Sequence, residues 1–185
     1  MLRTALLLAL AVSLAACDSA GPEETPLPES PAGPTMANVS INLDQIRVIG
    51  DCENSPSNPG DFQFKISFVD EGNQSVGPEL QFPNGTYGDN SRQNHLTLLT
   101  GRTHSVNQTA TLQRPAQEGS AFGVVFAATE WDSATTRDSR MDDRTNTRLY
   151  AYRDGRFQGI TGSQSVSLNG GTDCSVRLEY TIAVG

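Results

Sequence analysis

The sequence predicts an all-β protein, an antiparallel β-sandwich of about eight strands, on three observations. From Asn38 onward apolar residues recur with a period of two rather than 3.6. Turn signals, Asn84-Gly85, Asp154-Gly155 and Asn169-Gly170-Gly171, separate the alternating stretches. No segment carries the apolar stripe of an amphipathic helix. A barrel is the other arrangement that short, regularly spaced strands can adopt.

In chain order, Ile41 and Leu43 alternate in one phase and Ile46 and Val48 in the other, which predicts a first strand with a β-bulge between them. Phe62, Phe64, Ile66 and Phe68 alternate with Gln63, Lys65 and Ser67, as a half-buried strand requires. Weaker strands are expected near 79–83, 95–100, 104–112, 147–152 and 164–168. Phe122-Gly-Val-Val-Phe-Ala-Ala-Thr129 is apolar on both faces and reads as a central, covered strand. Val176, Leu178, Tyr180 and Ile182 alternate with Ser175, Arg177, Glu179 and Thr181 and close the domain, 38–185.

Two segments precede it. Met1-Leu2-Arg3 carries one positive charge, and the apolar run from Ala5 to Ala16 is too short for a bilayer, which needs about 20 residues. This is the layout of a secretory signal ending in Leu14-Ala15-Ala16-Cys17. The last four residues resemble the lipobox of bacterial lipoprotein signal peptides. The resemblance implies cleavage before Cys17, a diacylglyceryl thioether on its sulfur, an acylated amine, and anchoring in the cell envelope through lipid. The outer membrane is the expected address, facing periplasm or cell surface. Asp18 resembles an inner-membrane retention signal of enterobacteria and makes the inner membrane the alternative. Residues 17–37 then form a tether: five prolines and three glutamates with little apolar surface give an extended, unfolded spacer.

The chain has 21 acidic and 13 basic residues, and removal of Arg3 with residues 1–16 leaves 12 − 21 = −9. Such a balance argues against nucleic acid as a partner. With Cys17 given to lipid, Cys52 and Cys174 remain. In an oxidising compartment a disulfide is their default, against free thiols or a metal pair, and no second Cys or His lies near either.

Acidic residues gather where strong strands end: Asp51-Cys52-Glu53, Gly60-Asp61, and Glu130-Trp131-Asp132 running on to Arg137-Asp138 and Asp142-Asp143. Calcium takes six to eight oxygens from adjustable loops. The spacing Glu130-x-Asp132-x5-Asp138 after an apolar strand resembles the third-loop motif of the C2 domain, a calcium-dependent phospholipid-binding sandwich, with Glu in place of the usual first Asp. Asp51 and Asp61 resemble that family's first-loop pair, though farther apart and without a Pro-Tyr after Asp61. The resemblance implies a C2-like sandwich, an immunoglobulin-like one being the alternative, and a calcium site of Asp51, Asp61, Glu130, Asp132 and Asp138. The other reading is a solvated loop whose carboxylates are neutralised by Arg137, Arg140 and Arg144.

Trp131 is expected to pack rather than to insert into lipid or meet a sugar. Catalysis finds no support. The only two histidines, His95 and His104, stand in no nucleophile elbow, metalloprotease pair or phosphate loop, and a surface role is expected for both. A glycosidase-like carboxylate pair is the remaining enzymatic option. Function is therefore expected to be binding, either through calcium-loaded loops or, independently of metal, through the Thr/Asn/Gln-rich stretch 84–113 meeting glycan or protein.

Overall fold

The structure is a computed structural model that describes residues 33–50, 52, 57–85, 87–88, 94–131, 137–142 (main chain only), 147–160, 162–170 and 174–185. The expected signal peptide, Cys17 and most of the tether lie outside these residues. No helix among the described residues is long and apolar enough to cross a membrane.

Among the described residues eleven strands build the domain: β1 Met36–Val48, β2 Gly60–Val69, β3 Ser75–Phe82, β4 Leu96–Leu98, β5 Thr103–Pro115, β6 Ala121–Trp131, β7 Arg137–Asp142, β8 Arg148–Arg153, β9 Arg156–Phe157, β10 Ser163–Gly170 and β11 Cys174–Val184. Two short ones, β7 and β9, are additions to the strands that alternation predicts, and the strand expected near 95–100 is the three-residue β4. All pairings are antiparallel. One sheet runs β10-β11-β1-β5; the other runs β3-β2-β6-β8-β9, with β4 added to β2 and β7 to β6. β1 begins at Met36, so the predicted tether overlaps it at Met36 and Ala37, which pair with Pro115 and Arg114.

The core is the set of inward positions the alternation marks. Val39, Ile41 and Leu43 of β1 and Val176, Leu178 and Tyr180 of β11 face Phe62, Phe64 and Ile66 of β2 and Phe122 and Phe126 of β6, all buried. Phe126 and Tyr180 meet at 4.6 Å between ring centroids and join the two sheets into the predicted sandwich. The phase change in β1 is a real bulge: the register with both neighbours shifts between Leu43 and Gln45, leaving Asp44 unpaired. This one extra residue restores the apolar side chains to the core side. Asp154 and Gly155 have φ of 51° and 76°, the double left-handed geometry of a type I′ turn, and join β8 to β9. Every position of β6 is buried, as expected of a strand with β2 on one edge and β8 and β7 on the other.

The predicted pair of cysteines is bonded, with 4.1 Å between Cα atoms. Cys52 lies just beyond the last β1–β11 pair, Val48 with Val176, and Cys174 opens β11. The acidic stretch after Thr129 is more regular than a loop. β6 continues through Glu130 and Trp131, and Arg137–Asp142 returns along its edge as β7.

Candidate functional site

The loop end of β2 and β6 holds the two predicted metal ligands whose side chains are described. Register sets their directions. Asp61 pairs with Trp131, whereas Glu130 pairs with Phe62. Directly paired residues share a sheet face, and successive residues alternate. Glu130 therefore stands on the core side with Phe62 and is completely buried. A Cβ on Gly60 would come within 2.7 Å of the Phe62 ring and 3.6 Å of Glu130 Cγ, so the glycine makes room for both. Asp61 projects from the opposite face, where Thr97 Oγ1 of β4 donates to its Oδ1 at 2.6 Å. The structure does not bring Asp61 and Glu130 to one face. Asp51 and Asp132 lie outside the described residues. Asp138 falls at a register shift: Glu130 pairs with Ser139 and Trp131 with Arg137, leaving Asp138 as the extra residue. Its side chain is outside the described set. Among the described residues no three of His, Cys, Asp and Glu gather into a group that could hold a metal ion.

The outer face beside Asp61 is instead a packed polar cluster. Trp131 is 5% exposed, as packing requires; His95 stacks on it at 5.5 Å, and its indole N–H donates to Gln63 Oε1 at 3.3 Å. The same oxygen accepts from Gly88 N at 2.9 Å, and the Tyr87 hydroxyl is bonded to Thr129 Oγ1 at 2.8 Å. Gln63 and Thr129 are thus buried polar groups with partners, as burial demands. Farther along this face, Lys65 and Ser67 approach Glu79 at 3.3 and 2.8 Å. Burial raises the Glu79 carboxyl, but the Ser67 hydrogen bond and the Lys65 charge outweigh it, and the net direction is downward from 4.5. His104 lies against Phe82 at 5.6 Å from β5, in the other sheet, so the two histidines belong to separate surroundings.

A second polar surface among the described residues is the outer face of the four-stranded sheet. Register lays it out in rows across β5, β1, β11 and β10: Thr109, Asn42, Thr181, Ser163, then Ser105, Gln45, Glu179, Ser165, then Thr103, Arg47, Arg177, Ser167. Hydrogen bonds tie neighbours together. Thr109 Oγ1 donates to Asn42 Oδ1 at 2.9 Å, Thr181 Oγ1 to Asp44 Oδ2 at 2.7 Å, and the Asn42 amide donates to Asp44. Only part of this surface was visible as the polar stretch 84–113. Residues 103–113 form its β5 edge, while Tyr87 and His95 serve the other sheet.

No family model matches the chain, and no curated protein sequence matches it. Among solved structures it is similar to a C2 domain of plant Extended Synaptotagmin 1, at 8% identity over 79% of this chain and 93% of that one, TM-score 0.42. It is also similar to a C2 domain protein from Ramazzottius varieornatus (12% identity, 80% of this chain, 89% of that one, TM-score 0.37) and to another C2 domain (13%, 80%, 99%, 0.30).

Proposed function

We propose that the chain is a bacterial envelope lipoprotein, held at the outer membrane by lipid on Cys17, whose sandwich binds glycan or protein through the outer face of its four-stranded sheet. The observation that carries this reading is the composition of that face. Along the three rows it offers hydroxyls and amides with few charges and no aromatic ring. Such groups donate and accept at strand spacing, about 4.8 Å across and about 6.8 Å along each strand. A surface of this kind suits many individually weak hydrogen bonds to a hydroxylated or amide-rich partner. A tether rich in proline keeps it clear of the membrane.

The calcium reading, with docking through the loop end, draws its support from Asp51, Asp132 and Asp138. Asp61 is engaged by Thr97 and turned away from Glu130, which weighs against a five-carboxylate site. Lipid at Cys17 would in any case make calcium-driven membrane docking partly redundant.

Photo-crosslinking in intact cells tests the reading. A crosslinker at Thr109 should give one defined adduct, and the same group at Glu71, outside this face, should give none. Adding chelator should leave the Thr109 adduct unchanged. Absence of any adduct at Thr109, or equal labelling at both positions, overturns the sheet face; loss with chelator restores the calcium reading.

A further inference from the structure

Among the described residues the free edges of the two sheets are guarded in every strand but one. An edge strand exposes unpaired N–H and C=O groups and is normally blunted by charge, proline, irregularity or shortness. β3 carries Pro78 and a Gly77 with φ of 78°, and its register with β2 shifts. β5 contains Asn107 with φ of 55° and ends on Pro115. β4 and β9 are three and two residues long. β7 alternates Arg137, Asp138, Arg140 and Asp142 with only two uncharged residues, and β8 begins and ends on arginine. β10, the outer strand of the four-stranded sheet, runs Ser-Gln-Ser-Val-Ser-Leu-Asn-Gly, with no charge, no proline and an unbroken register to β11.

Register shows which main-chain groups of β10 are free. Asn38 and Gly185 exchange hydrogen bonds of 2.9 and 3.0 Å, and Ser175 O accepts from Ile49 N at 2.9 Å. The odd-numbered residues of β11 therefore turn their main chain toward β1, and the even-numbered ones turn toward β10. Their partners Gln164, Val166, Leu168 and Gly170 use their own N–H and C=O groups on β11. Ser163, Ser165, Ser167 and Asn169 point theirs outward, and among the described residues nothing takes them.

These free groups are self-complementary. An antiparallel copy of β10 with Val166 on the two-fold axis pairs Ser163 with Asn169, and Ser165 with Ser167, of the other copy. Every free donor and acceptor of both strands is then used. Charge selects the same register. On the outer face Glu179 neighbours Ser165 and Arg177 neighbours Ser167, so each such row across the junction holds Glu179 of one copy and Arg177 of the other. An axis at Ser165 or at Ser167 would instead set Glu179 against Glu179 or Arg177 against Arg177 in one row. Val166, half-buried in the single chain, meets its counterpart at the close, non-hydrogen-bonded spacing of about 4.5 Å. We propose that β10 pairs with β10 of a second copy and joins the two four-stranded sheets into one. The two-fold axis stands normal to the sheet, so both polar outer faces point the same way and form one surface. The inference rests on the proposed lipid anchor for local concentration, since copies held in one membrane meet more readily than free ones.

Cysteine crosslinking in intact cells tests the pairing. Val166→Cys sets two thiols face to face on the axis, at a Cα separation that a disulfide spans. Cys52 and Cys174 are already bonded to each other and do not compete. Mild oxidation should link the full-length protein to itself at twice its mass, and Thr109→Cys on the far strand β5 should give no such product. Ser167→Pro removes one outward N–H and leaves the β10–β11 ladder its bonds. In detergent the purified full-length protein should sediment as a dimer, and Ser167→Pro as a monomer with unchanged far-ultraviolet circular dichroism. If the proline disturbs the ladder, the Val166→Cys product decides. No adduct in Val166→Cys, equal linkage in Thr109→Cys, a monomeric parent protein, or dimers that persist in Ser167→Pro overturn the proposal. An adduct of any other mass overturns it too, and assigns the edge to a strand of a different protein. The mass of the N-terminal peptide reads the lipid anchor separately, so a missing anchor and a failed pairing are told apart.

Discussion

Removing the Cys52–Cys174 bond should cost about 5 kcal/mol, nearly all of it through the unfolded chain. The two cysteines are 122 residues apart in sequence, so the bond closes a loop containing every strand from β2 to β10. For a loop of that length the chain-entropy relation gives about 5 kcal/mol at 25 °C. In the folded state the bond adds little that is not already there. The β1–β11 ladder reaches Val48 and Val176, and Ile49 N and Gly50 N continue it onto Ser175 O at 2.9 and 3.1 Å. The effect therefore resides in how far the open chain can expand. The assay is urea unfolding of the oxidised protein against Cys52→Ala/Cys174→Ala. Alanine is preferred to serine because both positions are buried, at 7% and 6% exposure, where a hydroxyl would lack partners. With a slope of about 2 kcal/mol per molar, the midpoint should fall by about 2.5 M, and the slope itself should rise because the unfolded chain is larger. A loss below about 1 kcal/mol with an unchanged slope would refute the entropic reasoning and point to unfolded chains that keep the ends of β1 and β11 together.

Other predictions concern pH and packing. Burial first, then the Tyr150 phenol, pushes the Tyr180 hydroxyl well above its ordinary 10.0, against the pull of Arg148. The folded value exceeds the unfolded one, so this stabilisation is complete below about pH 10 and is lost as the pH rises further; urea midpoints should fall above pH 10, less steeply in Tyr180→Phe. Glu79 has the opposite sign: its lowered carboxyl stabilises the fold above pH 4.5, and the contribution vanishes as pH falls through the folded value. Glu79→Gln should flatten that acid limb while costing under about 1 kcal/mol at neutral pH, because the ion pair with Lys65 is solvent-screened. Phe126→Ala removes the ring that meets Tyr180 between the sheets and should cost about 3–5 kcal/mol in the same urea assay.

What alternation could reveal was decided by burial. β2 and β11 face the core on one side, so their period of two is strong, and the phase change in β1 disclosed its bulge from sequence alone. β7 escaped because Arg137-Asp-Ser-Arg-Met-Asp142 has too few apolar residues to show a period; it forms by pairing to the edge of β6. The acidic site suffered from a different blindness. Spacing along one strand says that Glu130 and Asp132 share a direction, but whether Asp61 joins them depends on the register between β2 and β6. One residue of slip there exchanges the faces. The meeting of Arg148 and Tyr150 with Gln164 was likewise invisible, since β8 and β10 are separate in sequence and in different sheets.

Everything proposed about partners presumes that the sandwich is tethered by lipid at Cys17, and mass spectrometry of the N-terminal peptide of the chain purified from bacterial membranes tests this most directly. The expected peptide begins at Cys17 and carries a diacylglyceryl group on sulfur and an acyl chain on its amine. A peptide retaining residues 1–16, or one cleaved elsewhere with an unmodified Cys17, would contradict the tethered binding module.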